Sequence, residues 1–182
     1  MADIDVVAAL RPAAVEVELD GYSYEIPPLA ADVWIEAVVS NDAFAILPGL
    51  LCPEDEDDIL GRLADDGLEL DEIRTVARHA LGAASGRDWW EAQHLILGAA
   101  NAWDSFGGAL LLRGVDLTSL SIAAFCSMVY SLATRDMDKG DRLKFDMDIK
   151  RVPLDAVEEE GAGEEGWAAA FRAALAEQQR IG

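Results

Sequence analysis

Basic residues are scarce in this chain of 182 residues. Lysines and arginines number 14 against 35 aspartates and glutamates, which gives a formal net charge of -21 at pH 7. A molecule with this charge repels phosphate backbones and anionic lipid headgroups, so we expect neither a nucleic-acid partner nor a membrane partner. The same acidity favours basic or weakly charged protein partners, although simple solubility explains it equally well.

Cysteine and histidine are scarce as well. Cys52 and Cys126 lie far apart in apolar surroundings. They match neither a disulfide framework nor a ligand pair, which predicts a reduced, cytoplasmic protein. His79 and His94 lie in helical apolar stretches without the spacing of the common zinc sites. The sequence therefore predicts no metal site and no cofactor.

No catalytic unit is visible among the carboxylates. None stands beside a histidine, lysine or nucleophile at a spacing typical of acid-base catalysis. The acidic run Glu54–Asp58 fails the calcium-loop template, because a template starting at Asp55 has Leu60 where glycine is needed. The segment Gly82–Arg87 lacks the ending of a phosphate loop and is interpreted as an ordinary loop. We expect a protein that is not an enzyme, with a small helical enzyme using a carboxylate-based site as an alternative.

Alternating residues near the N-terminus predict two β-strands. Apolar and acidic residues alternate over residues 15–20, and a second alternating run, residues 22–26, follows the dipeptide Asp20-Gly21. This dipeptide accepts the positive φ that a tight hairpin turn requires. We therefore expect an N-terminal β-hairpin.

The sequence after Pro28 predicts helices joined by loops. One helix begins at Pro53, with acidic residues at the positive end of its dipole, and a polar helix runs from about Asp138 to Ile149. The expected apolar anchors of the two helices are Ile59, Leu60 and Leu63 in the first and Leu143, Phe145 and Ile149 in the second. The predicted fold class is mainly α, with the helical domain preceded by the β-hairpin.

The segment Leu117–Thr134 has no charged residue and approaches membrane-spanning length. Its serines and threonines lower its hydrophobicity and charged residues flank it, so we expect a buried core helix, capped by Thr118 or Ser119. The glycine pair Gly107-Gly108 is expected to interrupt the preceding helix.

Four regions are predicted along the chain. Residues 1–14 form a flexible N-terminal arm, and residues 15–153 form the β-hairpin and helical domain. Residues 154–166 are acidic and glycine-containing, which predicts a solvated linker. Residues 167–182 have Trp167 and Phe171 at helical spacing, which predicts a short amphipathic helix that docks on a partner.

Aromatic side chains are the candidate partner-binding residues. Large aromatic rings dominate the energetics of protein interfaces, but they fill a protein's own core at least as often. The candidates are Trp89, Trp90, Trp103, Phe125, Tyr130, Trp167 and Phe171.

The order of these features resembles that of tail assembly chaperones of long-tailed, siphovirus-like phages that infect actinobacteria. The resemblance extends from about Val15 to Pro153 and depends on order and spacing, since each element alone is a turn or packing signature. The elements are Ile26-Pro27-Pro28, Trp34, Ile46-Leu47-Pro48-Gly49-Leu50-Leu51, Pro53-Glu54-Asp55, Gly86-Arg87-Asp88-Trp89-Trp90-Glu91-Ala92, Arg113-Gly114-Val115-Asp116, Met137-Asp138, Arg142 and Phe145-Asp146.

The resemblance implies a protein of the host cytoplasm that binds the long, helical tape measure protein and keeps it soluble. It also implies that tail tube subunits assemble with its help, and that a longer form arises by programmed ribosomal frameshifting. Self-association into a homo-oligomer is left open. The alternative within phage biology is a structural virion component, such as a connector or tail protein.

Overall fold

The computed structural model of the chain describes residues 11–40, 47, 51–65 and 67–153. Residues 1–149 form one compact unit and residues 150–182 a second, of which only the short stretch 150–153 is described. The elements are β1 (Val15–Leu19), β2 (Tyr22–Ile26), α1 (Ala31–Ser40), α2 (Pro53–Ala64), α3 (Leu70–Ser85), α4 (Trp89–Asn101), α5 (Trp103–Leu112), α6 (Ile122–Thr134) and α7 (Lys139–Ile149). The predicted fold class, mainly α with an N-terminal hairpin, is confirmed.

The hairpin is antiparallel, and its register pairs Val15 with Ile26 and Leu19 with Tyr22. Asp20 and Gly21 both have positive φ, 49° and 77°, as a two-residue turn of the I′ type requires. The odd-numbered residues of β1 and the even-numbered residues 24 and 26 of β2 are buried. The alternation seen in the sequence therefore places one face of the hairpin against the helices.

The core lies around α3, α4 and α6. Helix α3 packs against β1, α4 and α6, and α1 packs on α4. Buried apolar side chains of β1, β2 and α1–α6 form one continuous core. The largest fully buried side chains include Ile26, Ile59, Ile73, Ile96, Ile122 and Phe125.

Two glycine segments that were expected to break helices lie inside them. Gly82 is within α3, which ends only at Gly86 with φ 66°, and Gly107-Gly108 is within α5. A Cβ on Gly82 would lie 3.2 Å from the carbonyl oxygen of Arg87, and a Cβ on Gly107 would lie 3.0 Å from the indole of Trp103. These two glycines therefore allow close packing. The predicted loop Gly82–Arg87 begins only at Gly86, and the predicted break at Gly107-Gly108 was wrong.

The uncharged segment is divided between two elements. Asp116 caps a 3₁₀ turn, Leu117–Ser119, by accepting a hydrogen bond from the backbone N–H of Thr118. The hydroxyl of Ser121 accepts one from the N–H of Ala124 and so caps α6. The cap is therefore Ser121, and the prediction of Thr118 or Ser119 was wrong. No helix among the described residues combines the length and the apolar character that crossing a membrane requires.

Two of the predicted apolar anchors are exposed. Ile59 of α2 is fully buried, but Leu60 is 42% exposed. In α7, Ile149 is buried and Phe145 is partly buried, whereas Leu143 is 61% exposed. Both helices are amphipathic with a narrower buried face than the sequence pattern suggested.

The two cysteines differ in environment. Cys52 is exposed, and Cys126 is buried in α6. Burial raises the pKa of the Cys126 thiol to about 12, with a small opposing effect of the Arg87 charge. The Cys126 thiol therefore stays protonated and unreactive in the folded protein.

A polar cluster joins the hairpin to α2. The Tyr24 hydroxyl donates a hydrogen bond to Asp58 at 2.7 Å and accepts one from Arg62 at 2.7 Å. Arg62 also forms an ion pair with Asp20 at 2.6 Å, and its guanidinium lies 4.3 Å from the centre of the Tyr22 ring. One arginine therefore connects the turn and two tyrosines of β2 to the helix.

Replacing Tyr24 by Phe should lower the free energy of unfolding by about 1 kcal/mol, because the Asp58 carboxylate loses its donor. Urea denaturation measures this change. The matched control is Tyr22→Phe, which keeps the ring beneath Arg62 and removes an exposed hydroxyl, so its effect should be close to zero.

Wild type and Tyr24→Phe also test how the free energy of unfolding depends on pH. Burial and the hydrogen bond to Asp58 raise the pKa of Tyr24 above 10.0. The neutral hydroxyl therefore contributes stability that is complete below pH 10 and is lost as the pH rises through the raised pKa. The difference in stability between wild type and Tyr24→Phe should shrink above pH 10, and a constant difference would contradict this account.

Candidate functional site

An open apolar groove lies between α4, α5, α6 and α7, with a volume of about 640 Å³. We call it the α4–α7 groove. Its lining is mostly aliphatic and aromatic, with charged side chains at the rim. The apolar lining residues are Leu95, Gly98, Ala99, Ala102, Phe106, Val129, Leu132, Ala133, Phe145 and Ile149.

Helix α4 provides the floor of the groove. Leu95 and Ala99 are buried, whereas His94, Gly98 and Ala102 are exposed at a spacing of four residues. Residues four apart lie above one another on one helix face. The small residues Gly98 and Ala102 leave this face open, and a Cβ on Gly98 would meet no atom within 4 Å.

One wall of the groove, α7, is held in place through Tyr130 of α6. The Tyr130 hydroxyl donates a hydrogen bond to Asp146 at 2.6 Å, and its ring lies 6.0 Å from that of Phe145. The guanidinium groups of Arg87 and Arg142 each lie 5.7 Å from the centre of the same ring. Tyr130 therefore joins α7 to α6, and α7 also buries the side chain of Ile149.

A row of aromatic rings leads from the surface to the core beside the groove. Trp103 is 43% exposed, and its ring centre lies 6.2 Å from that of Phe106. Phe106 in turn meets the fully buried Phe125 edge-on at 6.0 Å. Edge-to-face contacts of this kind add stability beyond the area that they bury, so the Phe106 side of the groove is rigidly supported.

The structure distributes the aromatic residues proposed from the sequence among three environments. Trp89, Trp90 and Phe125 are buried in the protein's own core, and the first two rings meet edge-on at 5.7 Å. Tyr130 is half-buried beside α7, and Trp103 is 43% exposed. None of these five lines the groove.

Trp167 and Phe171 lie outside the described residues, as do the predicted acidic linker, the C-terminal helix and most of the N-terminal arm. The groove residues themselves were missed in the sequence. The signal that could have found them is the line His94, Gly98 and Ala102, small or polar residues on one face of an otherwise apolar helix.

The rim of the groove has charges of both signs. Arg113 and Arg135 are basic, Asp136 and Asp148 are acidic, and His94 lies beside them. All five side chains belong to exposed residues. The arrangement provides an apolar surface with a polar border, which is the anatomy of a binding site for another macromolecule. Within the described part of the chain, no group of three or more metal-ligating side chains comes together.

No protein-family model matches the chain, and no curated protein and no solved structure matches it either.

The role of Tyr130 can be tested with Tyr130→Phe. Loss of the hydrogen bond to Asp146 should lower the stability by about 1–2 kcal/mol, because the acceptor is a carboxylate. Amide hydrogen exchange in α7 should become faster, while exchange in α1 should not change. Unchanged amide exchange over Lys139–Ile149 would show that contacts other than the Tyr130 hydrogen bond hold α7 in place. Tyr22→Phe again serves as the control.

Proposed function

We propose that this protein is a tail assembly chaperone of a long-tailed actinobacterial phage. In this proposal it binds the tape measure protein in the host cytoplasm, keeps it soluble and promotes assembly of the tail tube around it. The observation that carries the proposal is the open α4–α7 groove on a strongly acidic, mainly helical protein. The order of sequence features from Val15 to Pro153 supports it as a resemblance.

The physical requirements of such a chaperone agree with these two properties. A protein that holds an aggregation-prone helical partner must offer it apolar surface, and an amphipathic helix docks with its apolar face in a groove. The exposed apolar surface would also attract other copies of the chaperone. A large net charge opposes that self-association and keeps the complex in solution.

The α4–α7 groove can be blocked without disturbing the fold. Gly98 lies within α4 on the open floor, and Gly61 lies within α2, away from the groove; a Cβ at either position meets no atom within 4 Å. Replacing a helical glycine by a better helix former stabilises the helix by up to about 1 kcal/mol. Gly98→Leu and Gly61→Leu are therefore a matched pair that differs only in filling the groove.

Co-expression with the tape measure protein encoded nearby tests the function. Wild type and Gly61→Leu should keep the tape measure protein in the soluble fraction and co-purify with it. With Gly98→Leu, the affinity for the tape measure protein should fall at least about tenfold, equivalent to 1.4 kcal/mol. Thermal unfolding of the three chaperones verifies that all are folded.

The proposal fails if the tape measure protein is equally soluble alone and no complex survives purification. Recovery of the chain in stoichiometric amounts from purified phage particles would instead favour a structural virion component.

A further inference from the structure

We propose that the α4–α7 groove accepts its partner as a preformed or induced α-helix with both signs of charge on its polar face, and that this binding is almost insensitive to salt. The proposal rests on the function proposed above and specifies the chemistry of the segment that is bound.

The secondary structure of the groove favours a helical occupant. The lining residues belong to α4–α7 and to the turns beside them. The backbone groups inside a helix are hydrogen bonded to one another, so these walls offer no strand edge to an incoming chain. An extended segment would bury unpaired N–H and C=O groups at about 1–3 kcal/mol each, whereas a helix has already paired its own.

The size of the groove fits the apolar stripe of a helix. A volume of about 640 Å³ holds several large side chains, such as those that a helix presents at positions i, i+4 and i+7. The small residues Gly98 and Ala102 allow the partner backbone to approach α4 closely, while Phe106 and Phe145 bound the space.

Most of the net charge lies outside the four groove helices in the sequence. Residues 89–149, which include all four groove helices, have eight acidic and five basic residues, a net charge of -3; the other 121 residues therefore carry -18. At the rim itself, Arg113 and Arg135 balance Asp136 and Asp148. A partner helix that meets this border needs both acidic and basic residues to complement it.

Salt sensitivity follows from this distribution. The Debye length at physiological ionic strength is about 8 Å, so exposed charges farther from the groove than that are largely screened. Burial of apolar surface then provides most of the affinity, and salt changes it little. The acidic residues outside the groove helices keep the complex soluble.

Synthetic peptides of about 20 residues test the proposal on the full-length chain. The first peptide has leucines at i, i+4 and i+7 spacing and equal numbers of Glu and Lys. The second peptide is the first with one central residue replaced by proline, which breaks a helix. The third is the first with all its Lys replaced by Glu. Fluorescence anisotropy gives Kd at 50 and 500 mM NaCl, and circular dichroism gives the helicity on binding.

We expect the balanced peptide to bind with a Kd that changes less than about twofold with salt, and to lose at least about tenfold in affinity with Gly98→Leu but not with Gly61→Leu. The proline peptide should bind at least about tenfold more weakly. Ala133→Lys, which places a charge at an exposed position of the groove, is a second blocking variant and should act like Gly98→Leu.

If the proline peptide binds as tightly as the balanced peptide, the proposal that the occupant is a helix is overturned. Equal binding of the acidic peptide, or a strong dependence on salt, would overturn the charge argument. Peptide binding that Gly98→Leu and Ala133→Lys leave intact would show that another surface, or a second copy of this chain, is involved. The proposed function is tested separately from the peptide experiment. If the tape measure protein co-purifies in a groove-dependent way while every peptide fails to bind, only the present proposal is rejected. If the peptides bind as expected while no complex with the tape measure protein forms, only the proposed function is rejected.

Discussion

Helix α4 is the element on which both the core and the groove depend. One of its faces presents Ala92 and Ile96 to the core, and another presents Gly98 and Ala102 to solvent. The first face fixes α4 between α1, α3 and α6. Because a packed interior has few voids and resists deformation, the second face is held open as a rigid floor that α5, α6 and α7 border.

Most of the acidic surplus lies outside the four groove helices in the sequence. The beginning of α2 is one acidic run of this kind, whereas residues 89–149 carry a net charge of -3. This separation lets one protein combine two properties that conflict on a single surface: attraction to apolar segments and mutual repulsion between complexes.

Local chemistry explains which parts of the fold could be predicted. The hairpin followed from Asp20-Gly21 and from alternation, because turn geometry and strand faces are set by neighbouring residues. The start of α2 at Pro53 followed for the same reason. Gly82 and Gly107 could not be interpreted in this way, since their role depends on Arg87 and Trp103 packing over them. Of the groove, only the open face of α4 with Gly98 and Ala102 leaves a signal in the sequence. The rest could not be predicted, because four helices form the groove and only their packing shows which apolar residues remain uncovered.

The contrast between the two thiols has a practical use. Cys52 is exposed, while Cys126 is buried in α6 and its thiol stays protonated. A maleimide dye at neutral pH would therefore attach to the natural chain at a single known position, immediately before α2, with no cysteine removed or added. The wild-type protein is thus ready for distance measurements by energy transfer to a labelled partner, so that the geometry of a complex can be followed while it assembles.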